Sequence, residues 1–443
     1  MAGHSPGRRD SLAYAARSGE GVAAADRAAT APSPLRALRG GRALAVLLAV
    51  AHVANDAITS MLSTLLPTLQ ARFGLSAGML AALVAVFAFS SSVTQPLFGA
   101  LSDRLGRRSL AAFGLVLSVS LLSLMAVAPS VWTLLGLLVV GGLGSAAFHP
   151  AGTSIARAAG GNKELAVGMF SAGGMLGLAL GPVLVLAVTT TLGLAYTPWL
   201  MVPGIRLGML VNVVAPPHQA PSSGTAGAPA PARPQARRFD ARVVRQLVAG
   251  PVGLLCLAGI LMEVAFVTFT SGVPLWLVTH RGVARDAALL GWTLTTFYLA
   301  AALGGLAAGA LSRRVARRRL VAGSMALAPL PLLAVFALEP GTPLFFGAVL
   351  LAGALANAGF PLLIVSAQDL APDAEATASG MLMGLTVGAA GVLYAGVGQL
   401  QEVVGLTPAM GGSYLTLIPG AALASAVLVR HQSGPGPTSP RCS

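Results

Sequence analysis

Gly99-Ala-Leu-Ser-Asp-Arg-Leu-Gly-Arg-Arg-Ser-Leu110 and Gly309-Ala-Leu-Ser-Arg-Arg-Val-Ala-Arg-Arg-Arg-Leu320 are two copies of one charged loop, 210 residues apart and identical at eight of twelve positions. Each copy lies between two long apolar runs. Further matches recur at an offset of 211: Gly142 with Gly353, Pro150 with Pro361, Gly173 with Gly384 and Gly177 with Gly388. A repeat of this length in a 443-residue chain predicts two similar halves. Six apolar runs per repeat, an even number, place both halves the same way up, about an axis normal to a membrane.

Composition supplies the membrane. The chain is 55% hydrophobic and 9% charged, with a mean hydropathy of +0.78. A soluble domain carries roughly 25% charged residues, so this chain has too little polar surface to sit in water. A spanning helix needs about 20 apolar residues. Twelve such runs lie near 43–70, 77–101, 110–128, 131–158, 165–190, 194–214, 247–275, 287–311, 320–338, 343–369, 376–400 and 408–429. The sixth is broken by Pro198 and Pro203, the ninth by Pro329 and Pro331. The predicted fold is all-α and polytopic: one six-helix bundle over 43–214 and another over 247–429, related by a pseudo-two-fold. Residues 1–42 read as a disordered tail, or as an over-long start, and not as a cleaved signal peptide. The segment 215–246 reads as a flexible linker, rich in Pro, Ala, Gly and Ser over Ala215–Ala236. The segment 430–443 is a short polar tail.

The basic residues set the orientation. With the amino terminus inside, 24 of the 28 Lys and Arg fall in the tails, the linker and the loops on the same side. Arg72, Arg281 and Arg285 fall on the other side, and Arg206 within the sixth span. Both termini and the linker are therefore expected in the cytoplasm. The same bias accounts for a net charge of +14 without a nucleic-acid surface.

The loop Gly99–Leu110 resembles the major facilitator motif between helices two and three, Gly-x-x-x-Asp-Arg-x-Gly-Arg-Arg. More narrowly, His52-Val-Ala-Asn-Asp56, Phe148-His-Pro150, Ala367-Gln-Asp-Leu-Ala-Pro372 and Ser379-Gly380 are similar to the fosmidomycin-resistance efflux family. The similarity covers residues 44–190 well and 250–430 more loosely. The resemblance implies a monomeric bacterial transporter in the cell (inner) membrane that exports a small molecule or drug by proton antiport. A phosphonate antibiotic is the cargo it suggests. It also implies that Asp103 and Arg104 latch the cytoplasmic ends of the two halves; Arg107 is placed at the same gate, where a topogenic role in a solvated turn suits it as well. The second copy departs from the motif, with Arg313 for Asp and Ala316 for Gly. Such decay is common in the superfamily.

In the first span His52, Asn55, Asp56, Thr59 and Ser63 share one helical face. A charged side chain near mid-bilayer costs at least ~2.5–3.5 kcal/mol, tolerated where the face lines a wet cavity. Asp56 is the expected proton-coupling carboxylate, with His52 and His149 as relay or substrate contacts. In the fourth span Ser145, His149 and Thr153 form a second polar stripe beside Pro150, which interrupts the backbone ladder. Asn55, Gln95, Ser145, Pro150, Arg206, Glu263 and Asn357 are expected around the substrate cavity, and Arg206 and Glu263 could pair with each other or contact a charged cargo. Gln368 and Asp369, near the cytoplasmic end of the tenth span, suit a gate or plain solvation. Gly173, Gly177 and Gly181 before Pro182 allow close helix approach.

No phosphate-binding loop, His-Glu-x-x-His pattern, cysteine framework or nucleophile elbow is present in the sequence. Enzymatic chemistry, ATP drive, a metal and an organic cofactor are thus not expected, and the coupling ion is the proton. A proton-coupled importer of a small metabolite, and a non-transporting membrane sensor on a transporter scaffold, remain the alternatives.

Overall fold

A computed structural model describes residues 41–75, 77–159, 161–216, 241–284 and 287–432. The expected amino-terminal tail, most of the linker, Arg285 and the last residues of the carboxyl tail lie outside the described residues. Among the described residues, twelve helices are long and apolar enough to cross a bilayer. We label them α1 (Gly41–Leu66), α2 (Ala82–Leu105), α3 (Arg107–Val127), α4 (Val131–Ala158), α5 (Lys163–Thr191) and α6 (Leu194–Val214) in the first half. The second half holds α7 (Pro251–Arg281), α8 (Ala288–Leu311), α9 (Arg317–Ala337), α10 (Pro343–Leu370), α11 (Pro372–Val404) and α12 (Leu406–Arg430).

Helix ends follow local chemistry. Ser130, Asn162 and Thr342 cap α4, α5 and α10, each accepting a backbone N–H three residues on. Gly282 ends α7 in the left-handed conformation. The seventh span differs from expectation: Gly250 breaks the chain into a short helix, Ala241–Ala249, and a longer α7 that continues to Arg281. Two of the four prolines foreseen as breaks mark one, whereas Pro203 and Pro331 sit in the first turn of the helices Met201–Val214 and Pro329–Ala337, where a missing N–H costs little. Pro198 lies in the 3₁₀ segment Leu194–Leu200 that opens α6, and Pro329 begins a new helical segment within α9. Two π-helical turns had no sequence signal, Phe89–Val93 in α2 and Met381–Leu385 in α11.

Packing repeats the sequence symmetry. In the first half α1 packs on α5, α3 on α4, and α3 on α6; in the second α7 packs on α11, α9 on α10, and α9 on α12. The halves meet along two seams, α2 with α11 and α5 with α8, which the six-helix offset exchanges. Small residues make both seams. A Cβ on Gly168 of α5 would press on the Gly305 carbonyl of α8, and one on Gly380 of α11 on the Gln95 carbonyl of α2. These contacts lie toward the face that carries the basic loops. Toward the opposite face the helices lose cover, and Val183 of α5 and Val392 of α11 are exposed. The conformation is therefore closed at the basic-loop face.

Candidate functional site: a buried His–Asp–His cluster above an ionic gate

α1 and α5 touch along their backbones because α5 presents Gly173, Gly177 and Gly181, spaced four apart. A Cβ on Gly177 would lie 2.7 Å from the Val53 carbonyl oxygen. Between them, Gly174 leaves room for a cluster: a Cβ there would lie 2.6 Å from His52 Cε1 and 2.9 Å from Asp56 Oδ2. α4 brings the third member. His52 Nε2 lies 3.1 Å from Asp56 Oδ2, and His149 Nε2 lies 3.3 Å from Asp56 Oδ1. The Asp56 and His149 side chains each retain 12% exposure, so neither is sealed. His52 is buried and stacks on Phe170 with ring centroids 4.1 Å apart.

The outer nitrogens fix the tautomers. His52 Nδ1 is 2.6 Å from the Phe170 carbonyl oxygen, and His149 Nδ1 is 2.8 Å from the Ser145 carbonyl oxygen. A carbonyl only accepts, so both Nδ1 atoms carry hydrogen. Each neutral imidazole would then aim an Nε2 lone pair at a carboxylate oxygen. Each Nε2 is therefore the atom at which one further proton would join imidazole to carboxylate, and the three side chains together offer two such places. Asn55 donates to Asp56 Oδ1 (2.9 Å) and to Ser145 Oγ (3.0 Å), bracing the cluster between α1 and α4. Pro150 follows His149 within α4 and is buried. The three ligand atoms lie within 4.8 Å of one another, the distance at which groups share a small cation.

α4 runs from this cluster to the basic-loop face. Ser145, His149, Thr153 and Arg157 succeed one another at four-residue spacing on one side of the helix. Thr153 Oγ1 lies 3.1 Å from Met383 Sδ in the π-helical turn of α11. Arg157 then reaches Asp369 (2.7 Å) and Glu375 (3.1 Å) of the second half.

Here the halves are locked. Asp103 on α2 accepts from the backbone N–H of Ala376 (3.1 Å) and of Thr377 (2.9 Å), and from Thr377 Oγ1 (2.9 Å). Those amides open the helix Glu375–Gly380 of α11, so a carboxylate of one half caps a helix of the other. Arg107 bridges Asp103 (3.3 Å) and Glu375 (2.6 Å). Arg104 is exposed on the same turn. Asp369 also receives Lys163 (2.6 Å) and Arg317 (2.9 Å), and Arg317 pairs with Glu164 across the other seam. Arg157, Lys163, Glu164, Arg317 and Glu375 were not foreseen. In the sequence their charges read only as topogenic or solvated, and no local pattern names a partner some 200 residues away.

Several residues expected at the cavity or the gate are engaged elsewhere. Arg206 and Glu263 form no pair: Arg206 is exposed on α6, which packs on α3 and α1 of its own half, whereas Glu263 is buried on α7. The long Arg206 side chain can snorkel from there to the interface. Asn357 is buried and donates to the Ala301 carbonyl (3.1 Å), bracing α10 against α8. Gln368 is buried and donates to Ser379 Oγ (2.6 Å), tying α10 to α11 within one half rather than gating between halves. Gln95 is buried on the seam, where its own backbone carbonyl meets Gly380 and its side chain meets Gly384 of α11.

Residues 48–395 match the family model described as Major Facilitator Superfamily. The chain belongs to that superfamily. As a superfamily member it is a transporter and a multi-pass membrane protein, acting on a small-molecule substrate from within a lipid bilayer. It is 26% identical over 370 residues to the uncharacterized MFS-type transporter YfnC of Bacillus subtilis (strain 168), covering 82% of this chain and 88% of that protein. It is 26% identical over 357 residues to the fosmidomycin resistance protein of Escherichia coli (strain K12), covering 80% and 85%. Among solved structures, a bacterial homologue of the iron transporter ferroportin, in an outward-facing state with soaked iron, matches with TM-score 0.64 and 15% identity over 88% of this chain and 99% of that one. The E. coli fucose:proton symporter matches with TM-score 0.64 and 16% identity over 88% and 98%. These two likenesses establish the shared fold.

Proposed function

We propose that this superfamily member exports a small molecule in exchange for protons by alternating access, from the cytoplasmic membrane of a bacterium with both termini inside. The basic-loop face is then the cytoplasmic one, and the form described above is closed to the cytoplasm. The similarity to a fosmidomycin resistance protein supports export, and a phosphonate is the first cargo to test.

The observation that carries the reading is the meeting of His52 Nε2 and His149 Nε2 with the two carboxylate oxygens of Asp56. With both inner contacts protonated the cluster holds together at net charge +1. Loss of one proton to the open side leaves an Nε2 lone pair against a carboxylate oxygen. That contact must lengthen, and the group free to move is His149, because His52 is wedged against Phe170 and Gly174. A shift of α4 carries Thr153 past Met383 and pulls Arg157 from Asp369 and Glu375, so protonation at the cluster biases the gate. Cargo that occupies the space beside the cluster exchanges for the proton.

The test is a sensitivity screen of cells with and without the protein, followed by proteoliposomes carrying an imposed pH gradient and each compound that separates the two strains. Exchange requires cargo to move against the proton flow. Movement with the proton flow would establish import, and no gradient-driven movement of any such compound would favour a sensor.

A further inference from the structure

The second copy of the charged loop has a structure of its own. In the first copy Gly106, at φ 109°, lets α2 run to Leu105 and α3 start at Arg107. Ala316 stands at the matching position with φ −55° and ψ 132°. A residue with a Cβ does not readily take the glycine's positive φ, so α8 stops at Leu311 and α9 begins at Arg317. Arg313, in place of the latch aspartate, falls in the intervening turn. Five arginines stand within 313–319. Arg317 keeps the cross-half role of its counterpart Arg107 through Glu164, and also pairs with Asp369 of its own half. Arg313, Arg314, Arg318 and Arg319 have no carboxylate within 4.0 Å among the described residues. By contrast Arg107, Arg157 and Lys163 are all ion-paired.

Topogenic bias explains arginines in this loop, but not the cleft beneath them. A cleft of about 650 Å³ opens between the start of α9 and α12, lined by Ala316, Arg318, Arg319, Ala322, Gly323 and Ser425. A Cβ on Gly323 would meet nothing within 4 Å, so its floor is open. Arg318 Nε donates to Ser425 Oγ at 2.8 Å, which holds the guanidinium against the α12 wall and leaves its two terminal nitrogens for an outside acceptor. The cleft lies at the basic-loop ends of both helices, where Arg317 opens α9 and Arg430 closes α12. Further along α9 the exposed side chains are apolar, Leu327 and Leu330 among them.

We propose that this cleft binds the phosphodiester headgroup of an anionic phospholipid, with Arg318 and Arg319 on the phosphate and Arg313 and Arg314 strengthening the field. A guanidinium fork matches phosphate oxygens, and basic pockets between spanning helices suit anionic headgroups. The position of the cleft at the ends of two spanning helices and the apolar track beside it favour a lipid over a soluble anion. The site is separate from the His–Asp–His cluster and independent of cargo or direction.

The full chain is purified in detergent, and retention of phosphatidylglycerol and phosphatidylcholine is compared by native mass spectrometry. The wild type should retain phosphatidylglycerol selectively. Arg318→Gln with Arg319→Gln should lower that retention on the order of thirtyfold, leaving phosphatidylcholine and helicity unchanged. Equal retention of the two lipids by wild type, a reading that needs no variant, overturns the proposal. So does a folded double variant with undiminished selectivity. Displacement of phosphatidylglycerol by millimolar inorganic phosphate would reassign the cleft to a soluble anion and overturn the lipid.

Discussion

Asp103→Asn isolates the latch. The carboxylate takes three hydrogen bonds from α11, at 2.9–3.1 Å, plus the Arg107 ion pair. All three reach across the seam, so they stabilise the form closed at the basic-loop face and not the alternative. An asparagine keeps one acceptor oxygen and turns an N–H toward groups that also donate. Hydrogen bonds to a charged group contribute roughly 1.5–3 kcal/mol each. Losing two, with Arg107 still able to hold Glu375, leaves a net cost of about 3 kcal/mol, or about a hundredfold in the equilibrium between forms. The assay is thiol labelling of single cysteines, with Cys256 and Cys442 replaced. A cysteine at Ser366, buried under Arg317 near the gate, should label tenfold faster or more. One at Val392, exposed at the opposite face, should label more slowly. Labelling rates at both positions within twofold of the parent would refute the latch.

Asp369→Asn removes the common partner of Arg157, Lys163 and Arg317. It should open the same face, and together with Asp103→Asn the combined effect should fall short of the sum, because Arg157 and Arg107 both also hold Glu375; strict additivity in the same labelling assay would argue against one shared gate. Gly174→Ala places a methyl against His52 and Asp56. Overpacking of this kind costs about 1–3 kcal/mol, so the variant should insert and melt a few degrees lower while exchange falls by at least tenfold, and wild-type exchange rates would show that the cluster tolerates spreading.

The architecture was legible because membrane helices announce themselves in hydropathy and the repeat fixed their pairing. The positive φ at Gly106 explains why the first loop needs glycine, and its loss at Ala316 explains why the second copy bends differently. At the site, legibility stopped where contacts became tertiary. His52 and Asp56 lie one turn apart and share a face by arithmetic. That α4 delivers His149 to the second carboxylate oxygen depends on how α1, α4 and α5 pack, which small residues permit but do not spell out. Arg206 and Glu263 looked like a pair because unlike charges in apolar helices usually find each other; they sit on different helices that do not face each other. Asn357 looked like a cavity group and Gln368 like a gate group, but neighbouring backbone and hydroxyl groups of their own half accept from their amides. The π-helical turns of α2 and α11 leave no compositional trace.

Coupling at Asp56 is most directly measured by proton movement. Proteoliposomes enclosing a pH-sensitive dye are given a compound that the screen identifies as cargo, with no imposed gradient. The wild type should move protons opposite to cargo, and Asp56→Asn should still bind cargo while moving none. Proton movement by Asp56→Asn at the wild-type rate would contradict the account, since the two imidazoles would then have no carboxylate between which to hold the transported proton.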